Sequence, residues 1–107
     1  MGKGASPEGD EKFYDREIGR IARKLVQNYW AYFTKYEELN SDGMRLLASA
    51  TRYARGSSPY VRAMLRRALR EPKLSNIIKL LESLGADREE LESTVRSLIQ
   101  GSIYAWG

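Results

Sequence analysis

DEKFYDREIGRIARKLVQNYWAYFTKYEELN, residues 10–40, is the stretch on which the fold turns. Within it Tyr14, Ile18, Ile21, Leu25, Tyr29, Tyr32, Tyr36 and Leu39 recur at steps of three and four, the period of a helix. The spacing predicts one helix from Asp10 or Glu11 to Leu39, ended by Asn40-Ser41-Asp42-Gly43. Thirty helical residues span about 45 Å, whereas a compact chain of this size has a radius of gyration of about 13 Å. A straight helix of that length cannot pack against its own bundle throughout. Either it bends, or it projects and finds its apolar contacts on another molecule. An oligomer is the economical reading.

Working outward, a second helix is expected from about Asp42, through Met44, Leu47, Ala48 and Ala54, to Arg55-Gly56. Ser58-Pro59 reads as an N-cap followed by an N1 proline, opening a third helix that ends before Pro72. Leu74, Ile77, Ile78, Leu81 and Leu84 mark a fourth, closed by Gly85. Asp87 with Glu90 three residues on has the form of a capping box for a fifth, which includes Leu91, Val95, Leu98 and Ile99 and ends at Gly101. No segment alternates as a strand does. The expected fold is all-α, a long N-terminal helical arm (residues 1–40) followed by a compact bundle of about four short helices (residues 41–107).

Composition narrows the chemistry. The 107 residues include no cysteine and no histidine, which removes thiol nucleophiles, disulfides, Ser-His triads and the usual zinc ligand sets. The acids are scattered along helical stretches, and no Gly-rich phosphate loop accompanies them. No catalytic residues, metal site or cofactor are therefore expected, and the reading is of a protein that is not an enzyme. No apolar run approaches the length of a membrane span and no signal peptide is evident, so a soluble intracellular product without a membrane span is expected. Twelve Arg against six Lys, with three Asn and two Gln, suits a protein built for heat.

The charge is unevenly placed. The formal net charge is +4, yet residues 52–73 hold seven basic side chains (Arg52, Arg55, Arg62, Arg66, Arg67, Arg70, Lys73) against the single acid Glu71. Such clustering is the electrostatic footprint of a polyanion partner. On the first helix, Lys12, Arg16, Arg20, Arg23, Gln27 and Trp30 fall opposite the apolar side with no acid among them. On the third, Arg62, Arg66, Arg70 and, at the margin, Arg67 face away from Tyr60, Val61, Met64, Leu65 and Ala68. Two readings stand for each face. One is a stripe following phosphates, for which the planar guanidinium fork is well suited. The other is an ordinary solvated face, or, for the third helix, pairing with Glu82, Glu89, Glu90 or Glu92 of a neighbouring subunit.

The aromatic run Tyr29-Trp30-Ala31-Tyr32-Phe33, with Tyr36, covers most of a helix's circumference, as a segment buried between subunits requires. Stacking on unpaired bases is the lesser reading of the same residues. The tail Ser102-Ile103-Tyr104-Ala105-Trp106-Gly107 is apolar and terminal, and Tyr104 and Trp106 are expected against a partner.

With these features in place, the chain resembles the major capsid proteins of rod-shaped and filamentous viruses of hyperthermophilic archaea. The head Met1-Gly2-Lys3-Gly4-Ala5-Ser6-Pro7 is similar to the Lys-Gly-x-Thr-Pro opening of the rod-shaped members. Pro72-Lys73-Leu74-Ser75-Asn76-Ile77-Ile78 is similar to a Pro-x-Leu-x-Asn-x-Ile segment of theirs. Leu91, Val95, Leu98, Ile99, Gly101 and Ser102 look like their closing helix and its exit. The likeness covers the first seven residues and roughly the last third. It implies an arm wrapping double-stranded DNA in the A-form, with Lys3 joining the nucleic-acid contacts. It further implies a C-terminal bundle as outer shell, a dimeric repeating unit of this chain with itself or a paralogue, a helical polymer, and a place in the virion and, during assembly, the host cytoplasm. The arm departs from the family in its acids Glu11, Asp15 and Glu17. The alternatives are a small helical subunit of a CRISPR-type ribonucleoprotein, or a DNA-binding regulator.

Overall fold

The computed structural model describes the backbone of residues 7–106 and the side chains of residues 10–100. Six α-helices follow in order: α1 (Pro7–Gln27), α2 (Tyr29–Tyr32), α3 (Ser41–Ser49), α4 (Pro59–Arg70), α5 (Leu74–Ser83) and α6 (Arg88–Trp106). A 3-10 helix, Ala50–Gly56, runs on from α3. No strand occurs among the described residues, and the fold is an all-α helical bundle.

The expected long arm is not seen among the described residues, where the first helix stops at Gln27 instead of running to Leu39. At 21 residues α1 is about 31 Å long. It ends at Asn28, whose backbone leaves helical values (φ −115°, ψ 48°) while its carboxamide Nδ2 donates to the Lys24 carbonyl at 2.9 Å. Asparagine competes in this way for backbone groups and so ends helices. After the single turn of α2 the chain extends at Phe33 (φ −119°, ψ 148°) and reverses. The reversal is tight: the Thr34 N–H donates to the Glu38 carbonyl at 2.7 Å, and Glu37 takes a left-handed conformation, φ 61°. Residues 37–39 then bind backbone-to-backbone along the α4–α5 connection, Leu39 N–H to Pro72 O and Leu74 N–H to Glu37 O, both 2.8 Å. Of the two options for the long periodic stretch, bending is the one realised.

The remaining boundaries lie close to those expected. Asn40 caps α3, its Oδ1 accepting from Gly43 N–H at 2.8 Å while its Nδ2 donates to Ala31 O at 2.9 Å. Pro59 opens α4, Gly85 (φ 98°) follows α5, and Asp87 Oδ1 accepts from Glu89 N–H at 2.9 Å ahead of α6. The last helix differs in continuing through Gly101 to Trp106.

α5 is the central element, with Leu74, Ile77, Ile78, Leu80 and Leu81 all buried. Ile18, Ala22, Leu25 and Val26 of α1 pack into the same core as Val61, Leu65 and Ala68 of α4. One cluster therefore draws on both 1–40 and 41–107, and α1 belongs to its own bundle. Each large apolar side chain buried there contributes about 1.5–3 kcal/mol. α6 is peripheral, burying Val95 fully and Leu91, Leu98 and Ile99 in part.

Candidate nucleic-acid interface

Because Ile18, Ala22 and Leu25 bind α1 to the core, its opposite face is held outward. Lys12, Arg16, Arg20 and Arg23 are all exposed on it. Arg20 pairs with Glu17 at 3.4 Å; Arg16 and Arg23 have no carboxylate within 4.0 Å among the described residues. Lys24, which the sequence reading left out, joins Arg16, Arg20, Arg23 and Gln27 around one shallow depression. Its spacing of four from Arg20 was the available signal.

Two acids of this helix have local work. Glu17 is the partner of Arg20. Asp15 Oδ1 accepts from the Ser58 N–H at 2.9 Å, where α4 begins, and a carboxylate at a helix N-terminus is favoured both by that orphan donor and by the helix dipole. Asp15 thereby fastens the first basic helix to the second.

On α4, Arg66, Arg67 and Arg70 are exposed, as are Arg52 and Arg55 on the 3-10 helix and Lys73 beyond. None of these has a carboxylate within 4.0 Å among the described residues. Glu82 and Glu92 are paired instead with Arg88 of their own chain, at 3.7 and 3.5 Å. Arg55, Arg62 and Arg66 line a depression with Thr51, Leu65 and Leu69.

Arg62 differs from its neighbours. Its Nε donates to Ala54 O at 2.9 Å, and its terminal nitrogen to Ser57 O at 2.9 Å and Arg55 O at 3.3 Å. It ties together carbonyls at the end of the 3-10 helix, of which Ala54 O also accepts from Ser57, and is a structural residue where a phosphate contact was expected. Arg62→Ala is expected to cost about 1.5 kcal/mol, the range for hydrogen bonds from a charged donor, whereas Arg67→Ala stays within about 0.5 kcal/mol. Urea denaturation of the two variants checks this; equal midpoints would remove the structural role.

The residues expected between subunits are dispersed. Tyr29 and Phe33 lie in the chain's own core, their rings stacked at 4.8 Å and 10°. They are core residues and no longer available to a partner. Burial, then the nearby charge of Glu37, raises the Tyr29 hydroxyl above the ordinary tyrosine pKa. Tyr32 packs partly against the core. Trp30 is half exposed, its Nε1 donating to Leu98 O of α6 at 3.2 Å. Tyr36 is 73% exposed, with Lys35 Nζ 5.3 Å from its ring centre. Lys3 and the side chains of Tyr104 and Trp106 lie outside the described residues.

Comparison with protein-family models, with curated proteins and with solved structures finds no match to this chain.

Proposed function

We propose that the protein is a structural nucleic-acid-binding protein, without catalysis or a cofactor of its own, that holds double-stranded DNA irrespective of sequence through arginine–phosphate contacts. The observation that supports this reading is the set of exposed basic side chains on α1, on the 3-10 helix and on α4 that, Arg20 excepted, no carboxylate within 4.0 Å neutralises among the described residues. Like charges so placed repel one another, and phosphates relieve that repulsion. The planar guanidinium fork pairs bidentately with phosphate oxygens whatever the sequence, and phosphate and sugar take half or more of protein–DNA hydrogen bonds. In its fuller form the reading is DNA packaging: many copies, of this chain or of it with a paralogue, coat the DNA in a helical polymer, as in a virion assembled in a host cytoplasm. The length of the first helix lends that fuller form no support, since α1 is buried on its own bundle.

Neutralising Z phosphates releases counterions, so log K falls with log salt at a slope of about −0.9Z on duplex DNA. Replacing Arg16, Arg20 and Arg23 together by Gln is expected to flatten that slope by about three with helicity unchanged. Titrations of natural and scrambled duplexes at several salt concentrations give the measurement. Strong preference for one sequence points to a regulator, and a triple variant that binds as the parent does makes the α1 face an ordinary solvated one.

A further inference from the structure

Phe13 occupies the wrong side of α1 for a core residue. It stands three, seven and eleven residues before Arg16, Arg20 and Lys24, a spacing that places all four on one helix face. Its ring is 48% exposed, while Ile18, Leu25 and Val26 of the same helix are buried. Nor is the ring loose: it meets Tyr14 edge-on at 5.3 Å and Tyr53 of the 3-10 helix edge-on at 6.4 Å, and Tyr14 and Tyr53 lie 6.3 Å apart. Three rings thus brace one another where α1 crosses the 3-10 helix, whose neighbours of Tyr53 include the exposed Arg52 and Arg55. Asp10 bounds the patch on its upstream side, and Glu17 within it is paired with Arg20.

We propose that Phe13, braced by Tyr14 and Tyr53, is a stacking platform for unpaired bases at the head of the α1 basic stripe, so that this surface takes single-stranded nucleic acid as well as duplex. The inference rests on the nucleic-acid reading above and deepens it. An aromatic face interleaved with cations has the chemistry that single strands require: phosphates follow the charges while a base lies on the ring, and every base has such a face. Duplex DNA keeps its bases stacked on one another and offers that ring nothing. A second protein chain is the competing occupant, but the exposed Arg16 one turn along the same face, and the exposed Arg52 and Arg55 on either side of Tyr53, favour a polyanion.

The experiment compares three probes at one salt concentration: an oligothymidine, an abasic strand of equal length, and a duplex. The parent is expected to prefer oligothymidine over the abasic strand, a comparison that needs no variant. Phe13→Leu keeps the apolar bulk but removes the ring face. It is expected to weaken oligothymidine binding roughly 5- to 160-fold, the range for losing one stacked base, with duplex and abasic affinities unchanged. Phe13→Trp restores the preference. The platform is overturned if the parent binds abasic and base-bearing strands alike, or if Phe13→Leu alters self-association and not single-strand affinity. Should the triple Arg→Gln variant lose binding while Phe13→Leu loses none, the platform fails and the phosphate reading stands. A parent that binds none of the three probes sinks both.

Discussion

Phe33→Ala is expected to lower the unfolding free energy by about 3–5 kcal/mol, the usual cost of emptying an aromatic site in a core. Phe33 is only 4% exposed and stacks on Tyr29, itself buried, so the truncation removes both burial and a ring partner. Small domains have about 5–15 kcal/mol in all, and the loss is a large share of that. Because one cluster joins α1, α2, α4, α5 and Val95 of α6, the helices are expected to melt together at a lower temperature. Circular dichroism of parent and variant tests this. If the variant melts as the parent does and only its sedimentation changes, Phe33 serves contacts between subunits, as the sequence had suggested, and not the core.

Gly43→Ala is expected to cost about 3 kcal/mol, at the upper end for overpacking. A Cβ there would stand 2.5 Å from the Tyr32 carbonyl oxygen and 2.9 Å from Leu39 Cδ2. The first obstacle cannot rotate away, since it is backbone and accepts the Asn40 N–H at 2.8 Å. Gly19→Ala is the control: its Cβ would meet only Leu84 Cδ1, at 3.2 Å, and alanine is the better helix former by about 1 kcal/mol. Urea denaturation should find Gly43→Ala far below the parent and Gly19→Ala near it; similar values for both would mean that α3 does not press on α2.

Residues with strong local chemistry announced their elements. Pro59, Gly85 and Asp87 each act within a turn of their own position, and the helix boundaries fall beside them. The Ser58 side chain makes no cap hydrogen bond, and the distant Asp15 holds its N–H instead. The break at Asn28 was not legible from periodicity, because Tyr29 and Phe33 return to the core side after it. Spacing registers which side chains go inward and is blind to a change of axis between them. The local hint was chemical: an asparagine followed by aromatic and β-branched residues, all weaker helix formers than Ala, Leu or Lys. The basic faces of α1 and α4 were readable in the same way as any amphipathic pattern. The role of Arg62 was not, since it depends on where three carbonyls of an earlier turn end up. The grouping of Phe13 with Tyr53, 40 residues apart, needed the crossing of two elements that sequence alone does not bring together.

The placement of α1 has a consequence for how the chain comes into being. Its partners are all later in the sequence: the 3-10 helix, the Ser58 N–H that Asp15 holds, and α5, which ends at Ser83. A ribosome releases residues in order, at about 5–20 per second. For several seconds Ile18, Leu25 and Val26 are therefore made while the later elements they pack against are not. Until then α1 waits with the side that faces those partners bare. Over Pro7–Gln27 five basic side chains are matched by five acidic ones, so net charge does nothing to keep growing chains apart until the partners of that apolar side arrive.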